Sequence, residues 1–83
     1  VTLSVAPSPA RTTHVRFSLP KQAEVDLSIF DLSGRKIVTL AKGSMPAKAH
    51  EYQWDGAGAS AGVYFVRLRV DAETYNLRVV SLK

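Results

Sequence analysis

The sequence predicts an all-β fold, an antiparallel sandwich or barrel built from short strands. Apolar and polar residues alternate in several stretches, which is the two-residue period of a strand with one buried face. Turn-forming residues interrupt these stretches, since the 83 residues include four prolines and five glycines. No stretch shows the 3.6-residue period of an amphipathic helix. The chain is therefore expected to consist of strands joined by turns and loops.

Three strands are predicted in the first part of the chain. Proline ends the first strand at Pro7 and the second at Pro20, because proline has no backbone N–H for the ladder. The third strand ends in a turn in which Gly34 can take a positive φ. The apolar positions, strand by strand, are Val1, Leu3 and Val5, then Val15, Phe17 and Leu19, then Val25, Leu27 and Ile29.

The middle of the chain is expected to alternate between strands and loops. Residues 35–40 are predicted to return from the Gly34 turn as a hairpin partner. Residues 41–48 are expected to form a loop, residues 49–54 a strand, and residues 55–62 a second loop rich in small side chains.

The end of the chain predicts a hairpin in which residues 63–70 fold back on residues 75–82 around a four-residue loop. One face then carries apolar pairs, namely Val70 with Tyr75, Leu68 with Leu77, Val66 with Val79, and Tyr64 with Ser81. The other face pairs Arg69 with Asn76, Arg67 with Arg78, Phe65 with Val80, and Val63 with Leu82. Tyr64 and Leu68 should therefore point inward, and Phe65 and Arg67 outward.

The second face of this hairpin is the candidate binding surface. It carries an apolar patch of Val63, Phe65, Val80 and Leu82 on what should be the solvent side, and such patches usually contact something. Two alternatives to a binding role remain open: a loop such as residues 41–48 folds over the patch, or another part of the parent protein covers it. The like-charge pair of Arg67 and Arg78 indicates an acidic neighbour such as Asp26 or Glu24, or a solvated face.

Size and composition argue against an enzyme. The 9.0 kDa chain has room for one small core without a deep cavity. The absence of cysteine excludes disulfides, thiolate metal sites and cysteine nucleophiles. The longest run of large apolar residues, 63–66, is too short to cross a bilayer. The net charge of +4 permits acidic partners without requiring them.

No catalytic, metal or cofactor site is predicted. His14 and His50 lie on different predicted strands, and no serine stands in a nucleophile elbow. His50 and Glu51 point to opposite faces, and Asp55 lacks the partners of a calcium or phosphate loop. Nucleic acid is disfavoured because acidic residues interrupt the basic stripe. The aromatic residues that could bind a carbohydrate are better explained as core: Tyr52, Trp54, Tyr64 and Tyr75.

Several strings occur in an order that alternation alone does not require. They are Pro7-Ser8-Pro9, Val15-Arg16-Phe17-Ser18-Leu19-Pro20, Ile29-Phe30-Asp31-Leu32-Ser33-Gly34-Arg35, Trp54-Asp55-Gly56, Ala61-Gly62-Val63-Tyr64-Phe65-Val66-Arg67-Leu68, and the segment from Arg78 to Lys83. In this order they resemble the C-terminal sorting domains of type IX secretion cargo and the related Ig-like module of flagellar hook-capping proteins. The resemblance extends from Pro7 to Lys83.

The resemblance implies a seven-stranded antiparallel Ig-like β-sandwich, with residues 1–83 as a single sorting domain of a larger polypeptide. It implies a non-catalytic sorting signal that an outer-membrane carrier or translocon recognises and a sortase-like peptidase removes. The parent would be secreted, or displayed on the surface of a Gram-negative bacterium, through the periplasm and without inserting this domain into a membrane. The positions matching the family's recognition motifs are Pro7, Pro9, Gly62, Tyr64, Arg78, Val80 and Lys83. Ser8 stands where the family most often has asparagine.

The apolar patch of the last hairpin and the motif positions of the resemblance predict one docking surface. The surface expected to bind the secretion machinery consists of Val63, Phe65, Arg67, Arg69, Arg78, Val80, Leu82 and Lys83. The alternatives are a structural Ig-like spacer of an extracellular enzyme or flagellar hook cap, and a weak carbohydrate-binding module.

Overall fold

Seven strands make up the fold. A computed structural model of the chain describes residues 1–7, 13–54 and 62–81. The strands are β1 (Thr2–Pro7), β2 (Thr13–Ser18), β3 (Ala23–Asp31), β4 (Lys36–Met45), β5 (Ala49–Trp54), β6 (Gly62–Val70) and β7 (Glu73–Ser81). In these described parts, no helix is long and apolar enough to cross a membrane.

The strands form two antiparallel sheets, which confirms the seven-stranded β-sandwich. One sheet has the order β1-β2-β5 and the other the order β4-β3-β6-β7. In an immunoglobulin sandwich the first, second and fifth strands likewise share one sheet, and the third, sixth and seventh share the other. Here the fourth strand remains beside the third, because β3 and β4 form an antiparallel pair. The longest-range pairing joins β3 to β6 and fixes the centre of the larger sheet.

The core lies between the two sheets. Its most deeply buried apolar side chains come from β2, β3 and β6, and they are Val15, Phe17, Leu27, Ile29, Val66 and Leu68. Trp54 of β5 meets Tyr64 of β6 edge to face, with ring centroids 5.3 Å apart. Tyr52 and Tyr75 are half-buried and pack against the same cluster. The prediction that the four large aromatic residues serve the core is confirmed, and they offer no exposed aromatic platform for a sugar.

The predicted register of the last hairpin is wrong by two residues. The structure pairs Val70 with Glu73, Leu68 with Tyr75, Val66 with Leu77, and Tyr64 with Val79. The loop is therefore two residues long rather than four. Asp71 makes the short loop possible by adopting a φ of 52°, a left-handed conformation that aspartate tolerates better than most residues. Because the shift is an even number, every side chain stays on its predicted face.

The loop predicted at residues 41–48 is also wrong, because β4 continues to Met45. The alternation fails there for a local reason. Two register shifts interrupt the pairing of β3 with β4, and Gly43 has a φ of 127°. Such irregularities break the two-residue period without ending the strand. β4 lies at the opposite edge of its sheet from β7. The alternative in which this segment covers the patch on β6 and β7 is therefore excluded for residues 41–45.

The predicted turn after β3 is present and is organised by Asp31. Its Oδ1 accepts hydrogen bonds from the Ser33 N–H at 2.9 Å, the Ser33 hydroxyl at 2.6 Å and the Arg35 N–H at 2.9 Å. The Gly34 N–H donates to the Asp31 carbonyl at 3.0 Å. The Arg35 Nε lies 3.4 Å from Asp31 Oδ2. One carboxylate thus accepts three hydrogen bonds within the turn.

This arrangement predicts a loss of stability in acid. The hydrogen bond from the Ser33 hydroxyl, followed by that from the Arg35 N–H, lowers the pKa of Asp31 below its ordinary value of 3.8. The ionised carboxylate therefore stabilises the fold fully at pH values above the ordinary pKa. This contribution is lost as the pH falls through the lowered pKa. We expect the stability difference between wild type and Asp31→Asn to shrink between neutral pH and pH ~3. Urea unfolding across this range measures it, and a constant difference would contradict the assignment.

Candidate functional site

The solvent side of the four-stranded sheet is the candidate site, and we call it the outer face. It consists of the side chains of β3, β4, β6 and β7 that alternate away from the core. These are Glu24, Asp26, Ser28, Phe30, Lys36, Thr39, Lys42, Val63, Phe65, Arg67, Arg69, Thr74, Asn76, Arg78 and Val80. Tyr64 and Leu68 of β6 are 6% and 0% exposed on the inner side, as predicted.

One end of the outer face is apolar. Phe30 of β3 lies opposite Phe65 of β6, and Val63 of β6 lies opposite Val80 of β7. Phe65, Phe30 and Val63 are half-buried, while Val80 remains 52% exposed. Sequence reasoning missed Phe30 as a member of this surface. It directly follows the inward-facing Ile29, so its outward position could have been read from the alternation of β3.

Two cations surround the Phe30 ring. The guanidinium carbon of Arg67 lies 4.4 Å from the ring centroid, and Nζ of Lys36 lies 5.9 Å from it. Both distances allow cation–π attraction to the face of the ring. Arg67 also donates from Nε to Asn76 Oδ1 at 3.4 Å. The arginine is thus held against the apolar end of the outer face by a side chain on each side.

The middle of the outer face is a polar groove of about 270 Å³. Ser28 is only 2% exposed at its centre, and its hydroxyl donates to Asp26 Oδ1 at 2.8 Å. Arg69 lies opposite Asp26 in the register and donates from Nε to the Asp71 carbonyl at 3.4 Å. Among the described residues, no cation of the outer face forms an ion pair within 4.0 Å. The ion pairs of these residues are Arg16 with Glu51 on the other sheet and Arg35 with Asp31 in the turn.

The predicted pairing of Arg67 with Arg78 is wrong, because the hairpin register differs by two residues. Arg67 faces Asn76, Arg78 faces Phe65, and Arg69 faces Thr74. The like-charge contact is therefore avoided within the hairpin. Of the two acidic neighbours suggested from sequence, Asp26 stands opposite Arg69, whereas Ser28 stands opposite Arg67.

The remaining predicted residues lie elsewhere. Pro7 ends β1 opposite Thr13, and Gly62 begins β6 opposite Ser81. Tyr64 is buried in the core, so its position in the family motif coincides with a packing role. The predicted positions Pro9, Leu82 and Lys83 lie outside the described residues. So do residues 55–61 of the loop predicted at residues 55–62, and the last residue of that prediction, Gly62, belongs to β6 instead.

The candidate metal ligands and histidines of the described residues do not form a cluster. No group of three or more His, Asp or Glu side chains in them could hold a metal ion. His50 stacks on Phe17 at 5.1 Å, and its Nε2 lies 3.0 Å from the Pro46 carbonyl. His14 lies on β2, opposite Gln53, whereas His50 lies on β5, opposite Phe17. The histidines therefore take part in the sandwich and are not brought together with a hydroxyl and a carboxylate.

Comparison with known proteins identifies the family. The family model described as the secretion system C-terminal sorting domain matches residues 4–81, which is most of the chain. No match was found among proteins of curated function. The matched segment begins within β1 and ends with β7, so it coincides with the seven-stranded sandwich. The chain belongs to the C-terminal sorting domains of the type IX secretion system, non-catalytic signals that direct proteins to secretion or to the cell surface.

Proposed function

We propose that the outer face is the surface by which this sorting domain docks on the outer-membrane carrier or translocon of the type IX machinery. One observation carries the proposal: an apolar end lies beside cations that have no carboxylate partner among the described residues. A sheet face with no partner is usually polar on its solvent side. Apolar residues surrounded by arginine are instead typical of the centre of a protein interface.

The chemistry of the outer face defines the partner surface that fits it. Phe65 and Val80 require an apolar contact, while Lys36, Arg67 and Arg78 require acidic groups at its rim. Arg67 is already held by Phe30 and Asn76 before any partner binds. Binding then costs less side-chain entropy than it would for a freely rotating arginine.

The proposal also covers the parent polypeptide, its route of export and the removal of the sorting domain. Residues 1–83 act as a single sorting domain of a larger polypeptide that crosses the periplasm of a Gram-negative bacterium. A sortase-like peptidase separates the domain from its cargo at the cell surface. Leu82 and Lys83 continue the chain directly after β7 and would extend the docking surface. Pro7 and Pro9 are the recognition positions at the other end of the chain.

Replacing Phe65 and Val80 by serine should trap a fused reporter in the periplasm while the domain stays folded. The double variant removes two side chains of the apolar end of the outer face, whereas Tyr64 and Leu68 continue to fill the core. Cell fractionation measures the surface fraction of the reporter, and we expect it to fall at least tenfold. Thermal unfolding monitored by circular dichroism shows whether the domain remains folded.

Val1→Ser is the matched control for this experiment. Val1 is 42% exposed and lies outside the outer face, so it tests the loss of an exposed valine elsewhere. The control should be displayed like wild type. Normal surface display of a folded Phe65→Ser/Val80→Ser variant would refute the proposal that the outer face docks on the secretion machinery.

A further inference from the structure

The four edge strands of the sandwich differ in how well they are protected. β4 is interrupted by two register shifts and by Gly43, and it carries two lysines. β1 and β5 are six residues long, and β1 ends in Pro7. Short strands, lysine, proline and bulges are the usual devices that stop an edge from pairing. β7 has none of them: its nine residues lack proline, glycine and lysine, and its pairing with β6 is unbroken.

The direction of the backbone groups of β7 follows from its neighbours. The Asp71 N–H donates to the Glu24 carbonyl at 2.9 Å, so the odd-numbered residues of β6 direct their backbone towards β3. The even-numbered residues of β6 then direct theirs towards β7, where each pairs with an odd-numbered residue. The N–H and C=O groups of Thr74, Asn76, Arg78 and Val80 therefore point away from β6, to the open side on which β7 has no neighbour in its own sheet. β1 of the other sheet approaches β7 but does not pair with it.

The side chains along this edge are also incompletely covered. On the inner side, Tyr75 and Leu77 are half-buried, whereas their partners Leu68 and Val66 on β6 are 0% exposed. On the outer side, Arg78 is exposed and has no carboxylate within reach among the described residues. A strand placed against β7 would extend the core over Tyr75 and Leu77 and could place an acidic side chain beside Arg78.

We propose that β7 accepts an extended segment of a partner protein as an additional strand of the larger sheet. The segment has alternating apolar and acidic side chains, with the apolar ones facing Tyr75 and Leu77. Main-chain hydrogen bonds supply affinity in this mode of binding, and the alternate side chains supply specificity. The inference rests on the docking role proposed above and adds a second contact beside the outer face.

A matched pair of variants isolates the backbone contribution. Asn76→Pro removes an N–H that points to the open side of β7, and an edge strand can hold proline at such a position. Asn76→Thr keeps that N–H. Both variants lose the Asn76 carboxamide that accepts the hydrogen bond from Arg67, so the difference between them does not depend on that group. Their thermal unfolding is measured first, and the comparison uses conditions in which both are folded.

The binding probe is a capped eight-residue peptide of alternating valine and glutamate, titrated into the isotope-labelled chain. We expect amide shifts concentrated at Thr74, Asn76, Arg78 and Val80 in wild type and in Asn76→Thr. Binding to Asn76→Pro should be at least tenfold weaker, as should binding of a valine and lysine peptide to wild type. Equal binding by Asn76→Pro, or no binding by wild type, would overturn the proposal. So would sedimentation showing that β7 instead pairs with a second copy and that Asn76→Pro abolishes this dimer.

Export of a fused reporter separates this inference from the docking proposal. Asn76→Pro should lower surface display at least tenfold relative to Asn76→Thr. If Asn76→Pro is displayed normally while Phe65→Ser/Val80→Ser is trapped, the edge proposal fails and the outer face stands. Normal display of both folded variants would overturn both.

Discussion

Replacing Phe17 by alanine is expected to remove most of the stability of the fold. Phe17 is 0% exposed, and its ring stacks on His50 at 5.1 Å and near Tyr52 at 6.1 Å. Deleting a buried phenylalanine side chain typically costs about 3–5 kcal/mol. Domains usually have a total stability of about 5–15 kcal/mol, and small ones lie near the lower end. The inner side of the three-stranded sheet has no other phenylalanine to fill the space.

Thermal unfolding followed by circular dichroism tests this expectation. For a chain of this length, about 1 kcal/mol corresponds to roughly 4–8 °C in Tm, so the variant should melt about 12 °C or more below wild type. Leu32→Ala is the matched control, because Leu32 is 68% exposed in the turn after β3. Its Tm should change little. A Phe17→Ala variant as stable as Leu32→Ala would mean that the packing described for β2 is wrong.

Gly34→Val should destabilise the fold markedly although Gly34 lies outside the core. Gly34 has a φ of 87°, a region that a β-branched residue avoids. Strain of this kind costs about 1–3 kcal/mol. A Cβ built on Gly34 meets no atom within 4 Å, so steric contact with neighbours does not contribute. The effect therefore isolates the backbone conformation of the turn.

A series at position 34 separates strain from side-chain size. Gly34→Asn should be less destabilising than Gly34→Val, because asparagine tolerates positive φ far better. Urea unfolding at neutral pH provides the free energy of unfolding for each variant. If asparagine and valine were equally destabilising, the cost would lie in adding any side chain rather than in the backbone angle.

The local features of the fold follow directly from the sequence. The alternation in β2, β3 and β6 predicts which side chains enter the core, because a two-residue period leaves one consistent assignment. Gly34 marks its turn for the same conformational reason that makes its replacement costly. These predictions depend on neighbouring residues only, so a single sequence suffices for them.

The errors arise where the outcome depends on more than one segment. Alternation determines which side chains of a hairpin share a face, but it does not determine the length of the loop. It therefore could not distinguish pairing of Leu68 with Leu77 from pairing of Leu68 with Tyr75. The two-residue loop depends on the positive φ of Asp71. Aspartate in a sequence indicates a positive φ less strongly than glycine does. The end of β4 was missed because register shifts interrupt its alternation.

Only the part of the candidate site that lies within one hairpin was predicted from the sequence. The basic and apolar residues of β6 and β7 could be found because the two strands are adjacent in sequence. Alternation in β3 indicates that Phe30 faces outward, but only the pairing of β3 with β6 and with β4 places Phe30 and Lys36 beside Arg67. The cation–π contacts that fix Arg67 were therefore not foreseeable from the hairpin alone.

The pairing of Phe30 with Phe65 joins segments that are far apart along the chain. Neither phenylalanine displays the apolar end by itself, and an extended chain brings them together only by chance. A carrier that docked on this end, as proposed above, would therefore recognise the folded domain rather than a linear peptide. Under that proposal a misfolded domain would not be bound, and the docking step itself would select folded domains for export.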